Sequence, residues 1–181
     1  MIKKLLITGI EPWAVENPKN IRTASLSVKV NNGKTLNAFV PNWDYLNFEG
    51  MSLDEIKALL VGKTIKAELQ LYVLNLKKIS NPKITPNVTQ TGSTTKLIGR
   101  IINLIGPFFY KLDGKSTKFK YFYSDLDCGG TIINVQLSES EIKKYNLKVG
   151  DYIEAEGRLD IKLKKILNDK EMEKDKKNEK H

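Results

Sequence analysis

The chain has one cysteine, Cys128, and one histidine, His181, its last residue. An intramolecular disulfide and a Cys/His zinc site are therefore both excluded. A Ser-His-Asp or Cys-His catalytic unit needs a buried, oriented imidazole, which a terminal histidine does not supply. No apolar run approaches the ~18 residues of a membrane span. Leu5-Leu6-Ile7, after Lys3-Lys4, is too short for a secretory h-region and runs directly into strand-like sequence. A cytoplasmic location (nuclear in a eukaryote), without secretion, is expected. Gly92-Ser-Thr-Thr95 lacks the second glycine and lysine of a phosphate loop. Asp125 and Asp127, two apart, are better read as a polar turn than as a magnesium site. No enzyme activity, metal or cofactor is expected.

What is present is ordinary globular usage: 181 residues, 40% hydrophobic and 28% charged, with a net charge of +9. Residues 1–80 and 96–167 each carry a surplus of four positive charges, whereas the lysine-rich end 168–181 is neutral. That end is too polar to pack and reads as a flexible tail.

The chain also repeats itself. Gly33-Lys-Thr-Leu-Asn-Ala-Phe-Val40 corresponds to Gly129-Gly-Thr-Ile-Ile-Asn-Val-Gln136, and Ser52-Leu-Asp-Glu-Ile-Lys57 to Ser138-Glu-Ser-Glu-Ile-Lys143. Gly62-Lys-Thr-Ile-Lys-Ala-Glu-Leu-Gln-Leu71 corresponds to Gly150-Asp-Tyr-Ile-Glu-Ala-Glu-Gly-Arg-Leu159. Three matches in register argue for two copies of one unit. The intervening stretch, rich in Ser, Thr, Asn and Pro, has linker composition. The expected division is one domain over 1–79, a linker over 80–95, a second domain over 96–167 and the tail.

Apolar residues alternate within each copy. In the second, Lys96–Ile105 is a strand with a bend at Gly99. Lys118–Leu126 sets Phe122, Ser124 and Leu126 against Phe119, Tyr121, Tyr123 and Asp125. Thr131–Leu137 follows a Gly-Gly turn. Ser138-x-x-Glu141 is a capping box opening a short helix, as Ser52-x-x-Glu55 is in the first copy. Tyr152–Leu163 alternates again, with Glu154, Glu156, Arg158, Asp160 and Lys162 outward. Three strands, a helix and one or two further strands are the order of a five-stranded Greek-key barrel, the OB-fold. The expected fold is all-β: two tandem OB-folds.

The second copy resembles the OB domains of replication protein A's middle subunit and its telomeric relatives. The residues carrying the resemblance are Gly99-Arg100-Ile101, Tyr121-Phe122-Tyr123 leading into Ser124-Asp125-Leu126-Asp127-Cys128-Gly129-Gly130-Thr131-Ile132, and Leu147-Lys148-Val149-Gly150-Asp151-Tyr152-Ile153 with Gly157-Arg158-Leu159. The first copy departs from this pattern at Asn31-Asn32-Gly33 and Gly62-Lys63. The resemblance implies single-stranded DNA binding, or assembly with a sister OB protein.

Seven of the 15 aromatics fall between Phe108 and Tyr123, interleaved with Lys111, Lys115, Lys118 and Lys120. Leu112-Asp113-Gly114-Lys115 is a hairpin turn within this stretch. Single-stranded nucleic acid offers phosphates to cations and base faces to aromatic rings. Phe119, Tyr121 and Tyr123 share one strand face. It is either a stacking platform or a packing surface, since strands favour aromatics for both. Arg100 and Arg158 add charge in the second copy. In the first, Trp13, Lys19 and Arg22 lie in an expected loop over Glu11–Arg22, and Lys29 ends the outward face Thr23, Ser25, Ser27 and Lys29. The expected function is single-stranded nucleic-acid binding, DNA before RNA, with little sequence preference. The alternative is an assembly subunit that docks a partner protein, or a second copy, on the aromatic strand.

Overall fold

The computed structural model describes the backbone of residues 3–17, 20–30, 33–41, 50–80, 85–112 and 115–167; the side chains of 13–17, 20–22, 111, 112, 115 and 116 lie outside that description. The described residues form nine strands and two helices. In chain order they are β1 (Lys3–Asn17), β2 (Asn20–Lys29), β3 (Thr35–Val40), α1 (Leu53–Leu60), β4 (Thr64–Ile79), β5 (Asn87–Thr91), β6 (Thr94–Leu112), β7 (Lys115–Asp127), β8 (Ile132–Ser138), α2 (Glu139–Tyr145) and β9 (Tyr152–Ile166). The protein is all-β in class. Its expected 168–181 tail lies outside the described residues.

Two compact units emerge, and each contains chain from both repeats. The first holds the described residues up to Glu68 together with Ile161–Leu167; the second holds Leu69–Asp160. The division thus runs through β4 and β9, not through the linker-like stretch 80–95. That stretch contains β5, paired antiparallel with β6 from Asn87↔Ile98 to Thr91↔Thr94. The physical reason lies in strand length. β4 has 16 residues and β9 has 15, against about 5–6 in an ordinary strand.

In the first unit, β1 pairs with β2 and β2 with β3, both antiparallel. The start of β4 returns to β1, from Lys3↔Ala67 to Leu6↔Thr64. The end of β9 lies beside the start of β4: the Leu167 amide donates to the Thr64 carbonyl at 2.9 Å, and Lys164 pairs with Glu68 at 3.4 Å. Strand order is β1-β2-β3-β9-β4, closed by the β1–β4 pairing. Alternation places Leu5, Ile7, Leu26, Val28, Leu36, Ala38, Ile65 and Ala67 inside, and α1 adds Ile56 and Leu60. Each such Leu or Ile contributes about 1.5–3 kcal/mol by leaving water. Phe39, between buried Ala38 and Val40, takes the outward parity. The expected loop Glu11–Arg22 is mostly strand, since β1 continues to Asn17 and β2 begins at Asn20.

In the second unit, β7 pairs antiparallel with β6 and β8, and β9 pairs with β6 from Thr95↔Gly157 to Arg100↔Tyr152. The remaining strand is the far part of β4, parallel to β8 with Gln70↔Asn134 and Tyr72↔Gln136 in register. The core includes Leu71, Leu97, Ile101, Leu126, Ile133, Val135, Leu137, Ile153 and Ala155. Gly157 permits close passage of β4: a Cβ there would stand 1.8 Å from the Tyr72 carbonyl oxygen. At Gly99 a Cβ would meet the Cys128 Sγ at 2.8 Å.

Both capping boxes form. The Glu55 and Glu141 amides donate to Ser52 and Ser138 Oγ, and each glutamate accepts from its serine's backbone N–H at 2.7 Å. Two outward assignments are corrected, the first being Ser25, which is buried on β2. Asp160 is buried to 1% exposure because Arg158 covers it with two hydrogen bonds, at 2.7 and 3.0 Å.

Candidate functional site

The outward parity of four neighbouring strands in the second unit builds one continuous face. The pairing registers sort its residues into cross-strand rows. Gln70 of β4, Asn134 of β8, Asp125 of β7 and Asn103 of β6 make the first. Tyr72, Gln136, Tyr123 and Ile105 make the second, and Ser138, Tyr121 and Phe108 the third. One row is therefore amide and carboxylate, while the next two are rich in rings.

Hydrogen bonds fix the polar groups. Asn134 Nδ2 donates to Asp125 Oδ1 at 3.1 Å and Asn103 Nδ2 to Asp125 Oδ2 at 3.4 Å. Gln70 Nε2 donates to Gln136 Oε1 at 3.4 Å, and Gln136 Nε2 in turn donates to the Tyr110 hydroxyl. Gln70 and Asp125 are buried, whereas Tyr72 and Tyr110 are exposed.

The rings pack on one another. Tyr121 lies 4.6 Å from Tyr110, 5.3 Å from Tyr123 and 5.6 Å from Phe108 between centroids, and Phe108 is 5.6 Å from Tyr123. The Tyr121–Tyr123 pair is edge-to-face, a favoured aromatic geometry. Arg158 lies 5.4 Å from the Tyr72 ring centroid with its guanidinium bound to Asp160. Burial, then the neighbouring Tyr121, pushes the Tyr123 phenol up to about 12. Burial and the Asp160 carboxylate raise Tyr72 as well. Both hydroxyls are hydrogen-bond donors at neutral pH.

The expected site residues distribute unevenly. Tyr121 and Tyr123 lie within the ring cluster, and Phe119 stands 65% exposed at the same parity. Lys118 is exposed on β7. Lys120 points the other way, its Nζ 5.7 Å from the Phe109 ring centre and 3.6 Å from Glu139. Lys111 and Lys115 are on paired strands, but their side chains are outside the description. Arg100 is exposed on β6, opposite Asp127 and Tyr152. Lys29 ends β2 in the first unit, exposed. Trp13 and Arg22 lie on β1 and β2 with side chains undescribed, and Lys19 lies outside the described residues. Sequence reasoning missed Gln70, Tyr72, Asn103, Asn134 and Gln136. The available signal was the alternation of β4 and β8, which turns all but Asn103 outward.

A separate open depression is lined by Asn75, Leu76, Lys77, Glu154 and Glu156. There Glu154 pairs with Lys77 at 2.8 Å and Lys96 at 3.1 Å, and its carboxyl is held below its ordinary range chiefly by the Lys77 hydrogen bond.

No family model matches the chain, and no curated protein matches it. Among solved structures, the chain is similar in fold to ModG, a cytoplasmic molybdate-binding protein, in its molybdate-bound form. The TM-score is 0.50 at 15% identity, over 91% of this chain and 96% of that chain. The expectation of single-stranded DNA or RNA binding is corrected by this likeness, which is to a binder of a small ligand. The expected assembly role and its partners, a sister OB protein or a second copy, are withdrawn with it. Lys120, one of the expected phosphate contacts, is turned to Glu139 and the Phe109 ring instead. No helix among the described residues is long and apolar enough to cross a membrane.

Proposed function

We propose that this protein binds a small soluble ligand, on two OB-type five-stranded barrels, with the tyrosine–amide face of the second unit as its site. The observation carrying this reading is the hydrogen-bonded run Gln70–Gln136–Tyr110, set among Tyr72, Tyr121 and Tyr123 at a partly exposed strand face. Polar groups held in fixed orientation beside apolar rings are the usual composition of a ligand site. The strand face is also where OB-type barrels take their ligands. The ModG likeness supports a binding role and a cytoplasmic location, and it makes oxyanions one class to test. Binding without catalysis belongs to this reading: phenols held protonated suit hydrogen-bond donation better than proton abstraction.

A thermal-shift panel on the full chain tests it, with molybdate, sulfate, phosphate, neutral saccharides, nucleosides and amino acids as candidates. At least one class is expected to raise the unfolding midpoint, because a ligand that binds only the folded state stabilises it. That rise should vanish in the double variant Tyr123→Ala/Gln136→Ala. A rise that survives in the double variant would place the site elsewhere. No rise from any class would count against a ligand-binding role.

A further inference from the structure

The open depression of the second unit is built where β4 runs beside β9. Asn75, Leu76 and Lys77 of β4 and Glu154 and Glu156 of β9 line it, around a volume of about 260 Å³. That lies just below the ~300–1,000 Å³ of pockets for drug-sized ligands, and so suits a smaller molecule.

Its charges are split between two ends. Glu154 takes two ammonium groups, Lys77 at 2.8 Å on one carboxylate oxygen and Lys96 at 3.1 Å on the other. A lysine ammonium has three donors, so this end keeps N–H groups to spare and one surplus positive charge. Glu156 stands two residues further along β9, about 7 Å away. It lies opposite Lys96 in the ladder, but the Lys96 ammonium is drawn to Glu154. Among the described residues, the half-buried Glu156 has neither an ion pair nor a side-chain hydrogen bond. The next residue of that parity, Arg158, is bound to Asp160.

A net anion would meet Glu156 here, and a net cation the two lysines. A molecule carrying one charge at each end finds a complement at both. Two residues of extended chain span about 7 Å, which matches the separation, whereas a single amino acid spans half of it. Leu76 adds an apolar strip, and the Asn75 amide can both donate to and accept from a peptide group between the ends.

We propose that this depression binds a short zwitterion of dipeptide length, its carboxylate on Lys77 and Lys96 and its ammonium on Glu156. The site shares no residue with the tyrosine–amide face and does not depend on it.

NMR titration of the full chain with glycylglycine and glycyl-leucine is the test, beside glycine and the same dipeptides blocked as N-acetyl or C-terminal amide. At least one free dipeptide is expected to give saturable shifts at Asn75, Lys77, Glu154 and Glu156, with an affinity that falls as salt rises. Blocking either end, or shortening to glycine, should weaken binding tenfold or more. Glu156→Gln, which removes the charge at nearly constant size, should do the same. Should that variant unfold, the blocked dipeptides on the unaltered protein decide. The variant Tyr123→Ala/Gln136→Ala should bind the dipeptide undiminished, so that failure here and failure of the tyrosine face are read separately. No saturable binding by either free dipeptide overturns the proposal. So does binding that survives the blocking of either end, is matched by glycine, or persists in Glu156→Gln.

Discussion

Cys128 and Tyr123 are the two residues whose chemistry the fold changes most clearly. Burial pushes the Cys128 thiol up to about 12, with a smaller contribution from Asp127. The thiolate is the reactive form, so Cys128 should resist iodoacetamide at pH 8 in the folded protein and react once it is unfolded in guanidinium. Tyr123 should titrate near 12 in ultraviolet absorbance, later than the ordinary phenol at about 10. Both groups bind their proton more tightly when folded. Their stabilising contribution is therefore complete below the ordinary values, 9.0 for the thiol and 10.0 for the phenol, and is lost as pH rises towards about 12. The melting midpoint should accordingly be level up to about pH 8.5 and fall above about 9, less steeply in Cys128→Ala. A midpoint that rises across this alkaline window would contradict the sign. The parity of this region was readable from sequence in part: Ser124 and Leu126 are buried, but Phe122 is only half-buried, as Tyr121 and Tyr123 are, and Asp125 on the opposite face is buried too. Asp160 was not, because alternation alone does not reveal that Arg158, two residues earlier, folds over it.

At the scale of elements, β4 and β9 decide the architecture. Gly157→Ala would set a methyl group against the Tyr72 carbonyl, a backbone atom that cannot swing aside. A loss of about 3 kcal/mol or more is expected, at or above the upper end of overpacking costs, read from denaturant unfolding. An unchanged midpoint would mean that β4 does not pass Gly157 as described. The helix caps offer a milder test: Ser52→Ala and Ser138→Ala should each cost about 1 kcal/mol. These caps, the alternation and the β6–β7 hairpin were all legible, because each rests on residues close in sequence. What was not legible was where β4 and β9 end. Their alternation was plain in Thr64–Leu71 and Tyr152–Leu163, but no local signal marks the point at which a strand leaves one unit and enters the next. The linker-like composition of 80–95 likewise did not reveal β5, a polar strand whose pairing with β6 is supplied by backbone groups.

For the whole molecule, the two compact units do not coincide with the repeat copies, and we expect the units to be what folds. A fragment 69–160 contains the complete second unit and should fold alone, with strand-rich circular dichroism and a cooperative melt. A fragment 96–167 lacks the β4 residues that pair with β8, so it should not fold. The reverse outcome would restore the repeat boundaries and remove the basis for the candidate face, since Gln70 and Tyr72 would then be dispensable. That face was only half visible in the sequence. The Tyr121–Tyr123 strand stood out by composition, whereas Tyr72 and Gln70 reach it from a distant segment through the parallel β4–β8 pairing.

The central claim, a ligand site on that face, is tested most directly by residue-resolved NMR of the full chain as the ligand panel is added. The account predicts saturable shifts confined to Tyr72, Tyr110, Tyr121, Tyr123, Asn134 and Gln136 and their strand neighbours. Shifts centred on another surface, or none with any ligand class, would contradict it.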